Sequence, residues 1–244
     1  MEFVPVAEDV LVRTSRRLAT TSTLVLGRRR RGGRAALLVD PAWEPDELIA
    51  IAAEVEALGA RVVAGFATHA HHDHLLWHPD LGDVPRWATP TTARTARHER
   101  DRLVAEARQD ARRYGGHEHP REVLDLLGRV TASGGPTTAL PDLGGLLPVV
   151  QVVEHDGHVP GHAALWLPGS GVLVAGDMLS DVEPPLPLDE ITGRADVATY
   201  RAGLERLAPF VARAAVLVPG HGSPTTDPQA RLESDRRLLS SWPG

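Results

Sequence analysis

The sequence predicts an α/β fold, on the evidence of two adjoining patterns and the length of the chain. Residues 61–67 form a short apolar run, which is typical of a buried strand. Just before it, residues 45–58 place apolar side chains at helical spacing, begin with proline and end before Gly59. A helix followed directly by a buried strand is the order found in α/β proteins. With 244 residues, the chain is long enough to bury one large core.

Three apolar runs precede this unit and predict neighbouring strands at 10–12, 23–26 and 34–39. The linker between the second and third runs, residues 27–33, is bounded by glycine and predicts a hairpin tip. It holds four successive arginines, Arg28 to Arg31, which could attract an anionic substrate. A run of this kind is more often a solvated turn, so the sequence assigns it no role.

The middle of the chain is less regular. An arginine-, alanine- and glutamate-rich stretch predicts a helix over residues 90–114, and a second helix is expected over 121–129. Residues 131–148 are rich in glycine and proline, as loops are.

The last third of the chain returns to alternating elements. Apolar runs at 149–153, 163–167 and 172–176 predict strands. Helices are expected to follow Asp196 and to cover residues 228–240, where Asp227-Pro228 gives a helix start.

The strongest chemical signal follows the buried strand, at Thr68-His69-Ala70-His71-His72-Asp73-His74. His69 and His71 are two residues apart, so in an extended backbone their side chains leave on the same side and can share a metal ion. Asp73 and His74 come where the chain turns into a helix and can reach a second ion. Pairs of ions about 3.5–4 Å apart are common in hydrolytic enzymes. The pattern therefore predicts a metal centre.

His-x-His-x-Asp-His at the end of a strand resembles the signature of the metallo-β-lactamase-fold hydrolases. Three further motifs follow in the order of that family: Pro-Gly-His ending at His162, Gly-Asp ending at Asp177, and Pro-Gly-His ending at His221. The resemblance implies a four-layered αββα sandwich of two mixed β-sheets flanked by helices. It also implies a single domain over 1–244. The stretch at about 75–148 is long for a simple connection, so it is expected to form a helical and loop insertion that caps the site.

The resemblance further implies a ligand set for two divalent metal ions. Zinc is the expected metal, while iron and manganese stay open because nitrogen and oxygen ligands discriminate poorly among them. Cysteine is absent, so no ligand can be a thiolate. The implied ligands are His69, His71 and His162 for the first ion, Asp73, His74 and His221 for the second, and Asp177 as the bridge between them.

The implied reaction is hydrolysis by a hydroxide that bridges the two ions, with Asp73 as the catalytic residue that orients it. Asp40 is expected to support a ligand histidine from behind, although simple turn chemistry is an equal alternative. Within the substrate pocket, His158 is expected as a lining residue that does not bind metal. Trp77 and Trp87 could contact an acyl group there, with core packing as their alternative.

The expected substrate is a small molecule, namely an ester, thioester or lactone. The chain has no lysine to bind the carboxylate of a lactam, and its net charge of −6 gives no support to nucleic-acid binding. A metal-binding protein without catalysis, a sensing protein, and a lactam or phosphodiester hydrolase of the same fold remain alternatives. A diiron redox enzyme fits less well, because Ala70 stands where such relatives carry a carboxylate.

The location of the protein is predicted only by default. The N-terminus has acidic residues and no apolar signal core, and no run approaches the length of a membrane span, so a cytoplasmic protein away from membranes is expected. The sequence does not predict the oligomeric state.

Overall fold

The structure is a computed structural model that describes residues 2–133, 139–141, 143–189 and 194–241. Two β-sheets lie face to face, and helices cover the outer side of each sheet. This arrangement confirms the predicted αββα sandwich.

The larger sheet has seven strands that follow one another in chain order. Its first four strands are antiparallel, and the last four run parallel to one another. The strands are β1 (Val4–Ala7), β2 (Val10–Thr14), β3 (Thr21–Leu26), β4 (Arg34–Val39), β5 (Ala60–Phe66), β6 (Arg86–Ala88) and β7 (Thr131–Ala132).

The smaller sheet contains four strands, β8 (Gln151–Glu154), β9 (Ala163–Leu167), β10 (Val172–Gly176) and β13 (Val216–Pro219). A separate two-stranded ribbon, β11 (Leu188–Asp189) and β12 (Arg194–Ala195), lies between β10 and β13 in the chain. Its order is β13-β10-β9-β8. Strands β10 and β13 are parallel, so their carboxyl ends lie side by side. Residues that follow these two strands are therefore brought together.

Helices α1 (Pro45–Ala57), α2 (Pro90–His98), α3 (Arg100–Arg113) and α4 (Arg121–Leu124) lie in the first half of the chain. Helices α5 (Val197–Val211) and α6 (Pro228–Ser240) follow in the second half. Helix α1 begins with a capping box in which Glu44 and Glu47 satisfy each other's backbone amides. Within the described residues, no helix is both long enough and apolar enough to cross a membrane.

The core forms three layers of buried apolar side chains. The middle layer fills the space between the sheets and includes Val12, Leu37 and Val174. One outer layer joins the larger sheet to α1 and α3, and the other joins the smaller sheet to α5 and α6. Each helix buries one face because its apolar residues recur at helical spacing.

Residues 75–148, expected to form an insertion that caps the site, are not an insertion outside the core. This stretch contributes β6 and β7 to the larger sheet, and Leu103 and Val123 are fully buried in the outer core layer. Strands of three and two residues are too short to show a period, which is why the sequence pattern missed them. The predicted helix 90–114 is divided at Glu99 into α2 and α3. Residues 134–138 and 142 of the predicted loop lie outside the described residues.

Candidate metal centre

The metal-preferring side chains meet at one end of the sandwich. Residues 69–74 follow the carboxyl end of β5, while Asp177 follows β10 and His221 follows β13. His158 lies in the turn between β8 and β9. The centre is therefore assembled from both sheets.

The first group contains ring nitrogens of His69, His71 and His158 and a carboxylate oxygen of Asp177. His69 Nε2 lies 2.9 Å from His71 Nδ1 and 3.3 Å from Asp177 Oδ2. His158 Nε2 lies 3.4 Å from His71 Nδ1 and 3.6 Å from Asp177 Oδ2. The four atoms converge on one point.

The second group contains Asp73, His74 and His221, with Asp177 beside it. His74 Nε2 and His221 Nε2 are 3.3 Å apart, and each lies within 3.6 Å of Asp73 Oδ2. Asp177 Oδ1 is 3.2 Å from His74 Nε2, and its Oδ2 is 3.4 Å from His221 Nε2. Asp177 thus contacts both groups.

These separations fit a metal ion. Zinc binds histidine nitrogen and carboxylate oxygen at about 2.0–2.1 Å in a tetrahedron, so two ligand atoms of one ion are about 3.3–3.4 Å apart. The distances of 3.2–3.6 Å around Asp177 are close to that value. The donor set of imidazoles and carboxylates also suits a divalent ion.

The structure corrects one member of the predicted ligand set: His158, rather than His162, joins His69 and His71. The sequence holds Gly-His twice within six residues, and local spacing does not show which histidine faces the metal. The threonine hydroxyls of Thr89 and Thr92 donate to Gly161 O at 2.6 and 2.8 Å, which fixes the turn in front of His162.

Groups behind the ligands fix the orientation of their rings. Asp40 is buried, and its Oδ2 lies 3.0 Å from His74 Nδ1. The same carboxylate accepts two hydrogen bonds from Thr68, from the hydroxyl to Oδ2 at 2.7 Å and from the amide to Oδ1 at 2.9 Å. His221 Nδ1 lies 3.0 Å from the Leu18 carbonyl oxygen and donates its proton to it. A proton on Nδ1 leaves Nε2 of both histidines free to bind a metal.

Burial and neighbouring charges shift the pKa values in opposite directions at the two groups. Burial lowers the pKa of His158 to about 4 and that of His71 well below its usual range, so both rings are neutral at neutral pH. At His221 burial also lowers the pKa, but Asp177 and Asp73 outweigh it and raise the value to about 12. A metal ion that binds the second group must therefore displace a proton.

The two carboxylates remain ionised despite their position. Burial opposes ionisation, but His74 and His221 outweigh it and hold the pKa values of Asp73 and Asp177 well below their usual range. Space for Asp177 depends on Gly220, because a Cβ atom there would overlap Asp177 Oδ1.

A cavity of about 290 Å³ opens above the two groups. A polar face of α3, within the segment 75–148 expected to cap the site, lines this cavity opposite the histidines, together with Glu183 and Leu186, which the sequence did not single out. The helix spacing i, i+3, i+4, i+7 of that face is visible in the sequence, but nothing there indicates what it faces. The α3 residues are Glu106, Gln109, Asp110 and Arg113.

The two tryptophans predicted for the substrate pocket lie elsewhere. Trp77 is 2% exposed in the outer core layer, where its Nε1 donates to Gly82 O at 3.1 Å and its ring stacks on Arg86. Trp87 on β6 faces the core between the sheets. Neither ring lines the substrate cavity, and core packing, the alternative expected for both, is what the structure shows.

A larger cleft of about 680 Å³ lies at the opposite end of the sheets, where β3 and β9 end. Val10, Leu26, Leu147 and Leu167 make it largely apolar. Among the described residues that line it there is no histidine, so metal chemistry belongs to the smaller cavity.

Replacing Asp235 by asparagine is expected to stabilise the protein at pH 7. Asp235 on α6 accepts the Leu179 amide at 3.2 Å, and burial raises its pKa to about 6. The folded state then holds this proton more tightly than the unfolded state, so stability is lost as the pH rises from about 4 to 6. Asparagine removes that loss, worth on the order of 1–3 kcal/mol.

Urea unfolding of Asp235→Asn and wild type at pH 7 and pH 4 measures this effect. The difference should be present at pH 7 and small at pH 4. Glu233→Gln, an exposed change on the same helix, is the control and should show no gain. An Asp235→Asn variant that is less stable than wild type at pH 7 would contradict the prediction.

Comparison with known proteins agrees with this geometry. The model of the metallo-beta-lactamase superfamily matches residues 16–237. A beta-lactamase domain protein from Burkholderia ambifaria has 20% identity and a TM-score of 0.68, with 96% of this chain and 75% of that chain covered. A metallo-beta-lactamase family protein from Thermus thermophilus has 20% identity and a TM-score of 0.66, with 96% and 80% covered. A metallo-beta-lactamase from Pontibacter korlensis has 19% identity and a TM-score of 0.63, with 99% of each chain covered. These similarities show a common fold, and with the family match over most of its length the chain belongs to the metallo-beta-lactamase superfamily.

Proposed function

We propose that the protein is a metal-dependent hydrolase that holds two divalent ions, zinc in preference to iron or manganese, and cleaves a small ester, thioester or lactone. The observation that carries this proposal is the position of Asp177, which contacts both ligand groups at the floor of an open cavity. A structural zinc site is usually closed by four protein ligands, whereas a catalytic site leaves a position for water or substrate.

The protein's own residues have distinct roles in this proposal. Bound ions would supply an activated water at neutral pH and polarise the carbonyl oxygen of the substrate. Asp73 lines the cavity and is the carboxylate placed to orient that water. Asp177 holds the two groups at a fixed separation, while Asp40 fixes the ring of His74.

The size of the cavity supports a small substrate. Sites for drug-sized ligands usually measure about 300–1,000 Å³, and the volume here is about 290 Å³. Its wall is mostly polar, and Arg113 is the arginine among the described residues that line it. The carbonyl compound is therefore proposed to be compact and polar rather than a long acyl chain. A small-molecule partner, not a nucleic acid, remains the proposal.

We expect close to two metal ions per chain after reconstitution, because two complete ligand groups share one carboxylate. Protein stripped with a chelator should be loaded with zinc, iron or manganese in parallel and measured by elemental analysis. His98→Ala, a change at an exposed histidine, is the control and should keep the same content. One ion or none would count against the dinuclear centre.

The metal-loaded preparations are then used to identify the reaction. Each should be tested on a panel of esters, thioesters, lactones, lactams and phosphodiesters of similar size. Turnover of the first three classes supports the proposal, and preference for lactams or phosphodiesters would replace its substrate class. A protein that binds two ions and turns over none of the panel would support a binding or sensing role.

A further inference from the structure

His162 is the most buried histidine that the metal centre does not use. It is fully buried at the start of β9, and its ring packs on His69 with 4.9 Å between the ring centroids. Its Nε2 accepts the backbone amide of Asp177 at 3.0 Å, and its Nδ1 lies 3.1 Å from His155 Nε2. His162 therefore joins the backbone of the shared carboxylate to a second buried histidine.

The hydrogen bonds of His155 and His162 determine which ring nitrogen of each carries the proton. Gly157 N–H points at His155 Nδ1 at 3.2 Å, so amides approach both outer nitrogens of the His155–His162 pair. Two neutral rings carry two protons, but only one fits between them. The second proton must lie on one of the two outer nitrogens, and that nitrogen cannot then accept a hydrogen bond from its amide. The Gly157 contact is the longer one and spans only two residues, so the proton lies on His155 Nδ1. His162 then carries its proton on Nδ1 and accepts from Asp177.

The glycine before Asp177 supports this assignment. Gly176 has a φ of 57°, and a Cβ atom there would overlap Nε2 of His162. The ring can approach the next amide only because this position has no side chain. The carbonyl oxygen of Gly176 accepts the Gly220 amide at 2.6 Å, so the same peptide is fixed from its other side.

We propose that His162 is a positioning residue that fixes the backbone of Asp177 through its Nε2 and is itself oriented by His155. The proposal rests on the proposed function in one respect, namely that Asp177 is the shared ligand of two ions. Its direct consequence is that His162 Nε2 does not bind metal.

Ring nitrogen NMR of the metal-free protein tests the proton assignment. Two-bond proton–nitrogen correlations, assigned with single histidine variants, are expected to show His162 protonated on Nδ1. Addition of zinc should shift the Nε2 signal of His158 strongly and leave His162 in the same tautomer. A proton on His162 Nε2, or a metal shift at that nitrogen, would overturn the proposal.

Two substitutions test the positioning role. His162→Leu removes the acceptor, whereas His162→Gln keeps an acceptor the same number of bonds from Cα. Supporting groups behind metal ligands typically change metal affinity by about 10–100-fold. The leucine variant is expected to lose zinc affinity in that range and to change the visible spectrum of the cobalt form. The glutamine variant should keep most of the zinc affinity and most of the wild-type cobalt spectrum.

His119→Leu is the matched control, because it removes another buried histidine away from Asp177 and should leave affinity unchanged. Circular dichroism checks the folding of each variant. If His162→Leu does not fold, the proposal is still tested by the ring nitrogen NMR of the wild-type protein and by the zinc affinity of His162→Gln. Wild-type affinity in a folded His162→Leu would overturn the positioning role. A protein that binds both ions but hydrolyses nothing would contradict only the proposed function.

Discussion

Replacing Asp177 by alanine is expected to lower hydrolytic turnover by about 10³-fold or more while the fold survives. Asp177 is the carboxylate that contacts both ligand groups, so its loss would remove the negative charge shared by the two proposed metal positions and the contact that sets their separation. Metal ions contribute several kcal/mol to stabilising the transition state, and each 1.36 kcal/mol is tenfold in rate. Asp177 lies after the end of β10 rather than within the sheet, so the strands should still pair.

Metal content, circular dichroism and turnover of one responsive substrate measure the effect together. Asp110→Ala is the matched control, because Asp110 lines the same cavity without belonging to either ligand group. It should keep both ions and most of the turnover. Full activity in folded Asp177→Ala would exclude Asp177 as the shared ligand.

Replacing His158 by alanine is expected to weaken metal binding at the first position and to leave binding at the second unchanged. Apparent binding free energies of structural zinc are about 10–16 kcal/mol for four ligands, so one ligand accounts for about 3 kcal/mol. That corresponds to about a hundredfold weaker binding. His158 is neutral because burial lowers its pKa to about 4, so its lone pair needs no deprotonation before it binds metal.

Calorimetric titration of the stripped protein with zinc should resolve a tight and a weakened step in His158→Ala. His98→Ala, on the exposed side of α2, should show the wild-type titration. Two unchanged steps in His158→Ala would show that His158 is not a ligand and would return that position to His162.

Local geometry predicts one part of the centre, whereas Asp177 and His221 are predicted only by the resemblance of their motifs to those of the metallo-β-lactamase-fold hydrolases. His69 and His71 leave one strand end at a spacing of two, and Asp73 and His74 follow in the same turn, so no distant contact is needed to place them. Helices α1 and α6 could also be predicted, since they carry caps and prolines at their starts, whereas the αββα order followed from the resemblance to the metallo-β-lactamase-fold hydrolases.

What could not be predicted depends on contacts between distant segments. The choice between His158 and His162 is made by Thr89 and Thr92, which lie far earlier in the chain and hold the turn at Gly161. The segment 75–148 could be expected to cap the site, but the α3 residues that line the cavity could not be named, because the pattern of a helix shows which residues share a face and not what that face meets.

The two sheets supply different parts of the centre, and this division has a consequence for stability. Residues 69–74 come from the larger sheet, whereas Asp177 and His221 follow strands of the smaller one. Any sliding of one sheet over the other changes distances between the ligand side chains, so bound ions would hold the two halves of the chain together. Ions that bind only the folded protein add RT ln(1 + [L]/Kd) to its stability. The resistance of the sandwich to unfolding would then depend on the concentration of free metal around it.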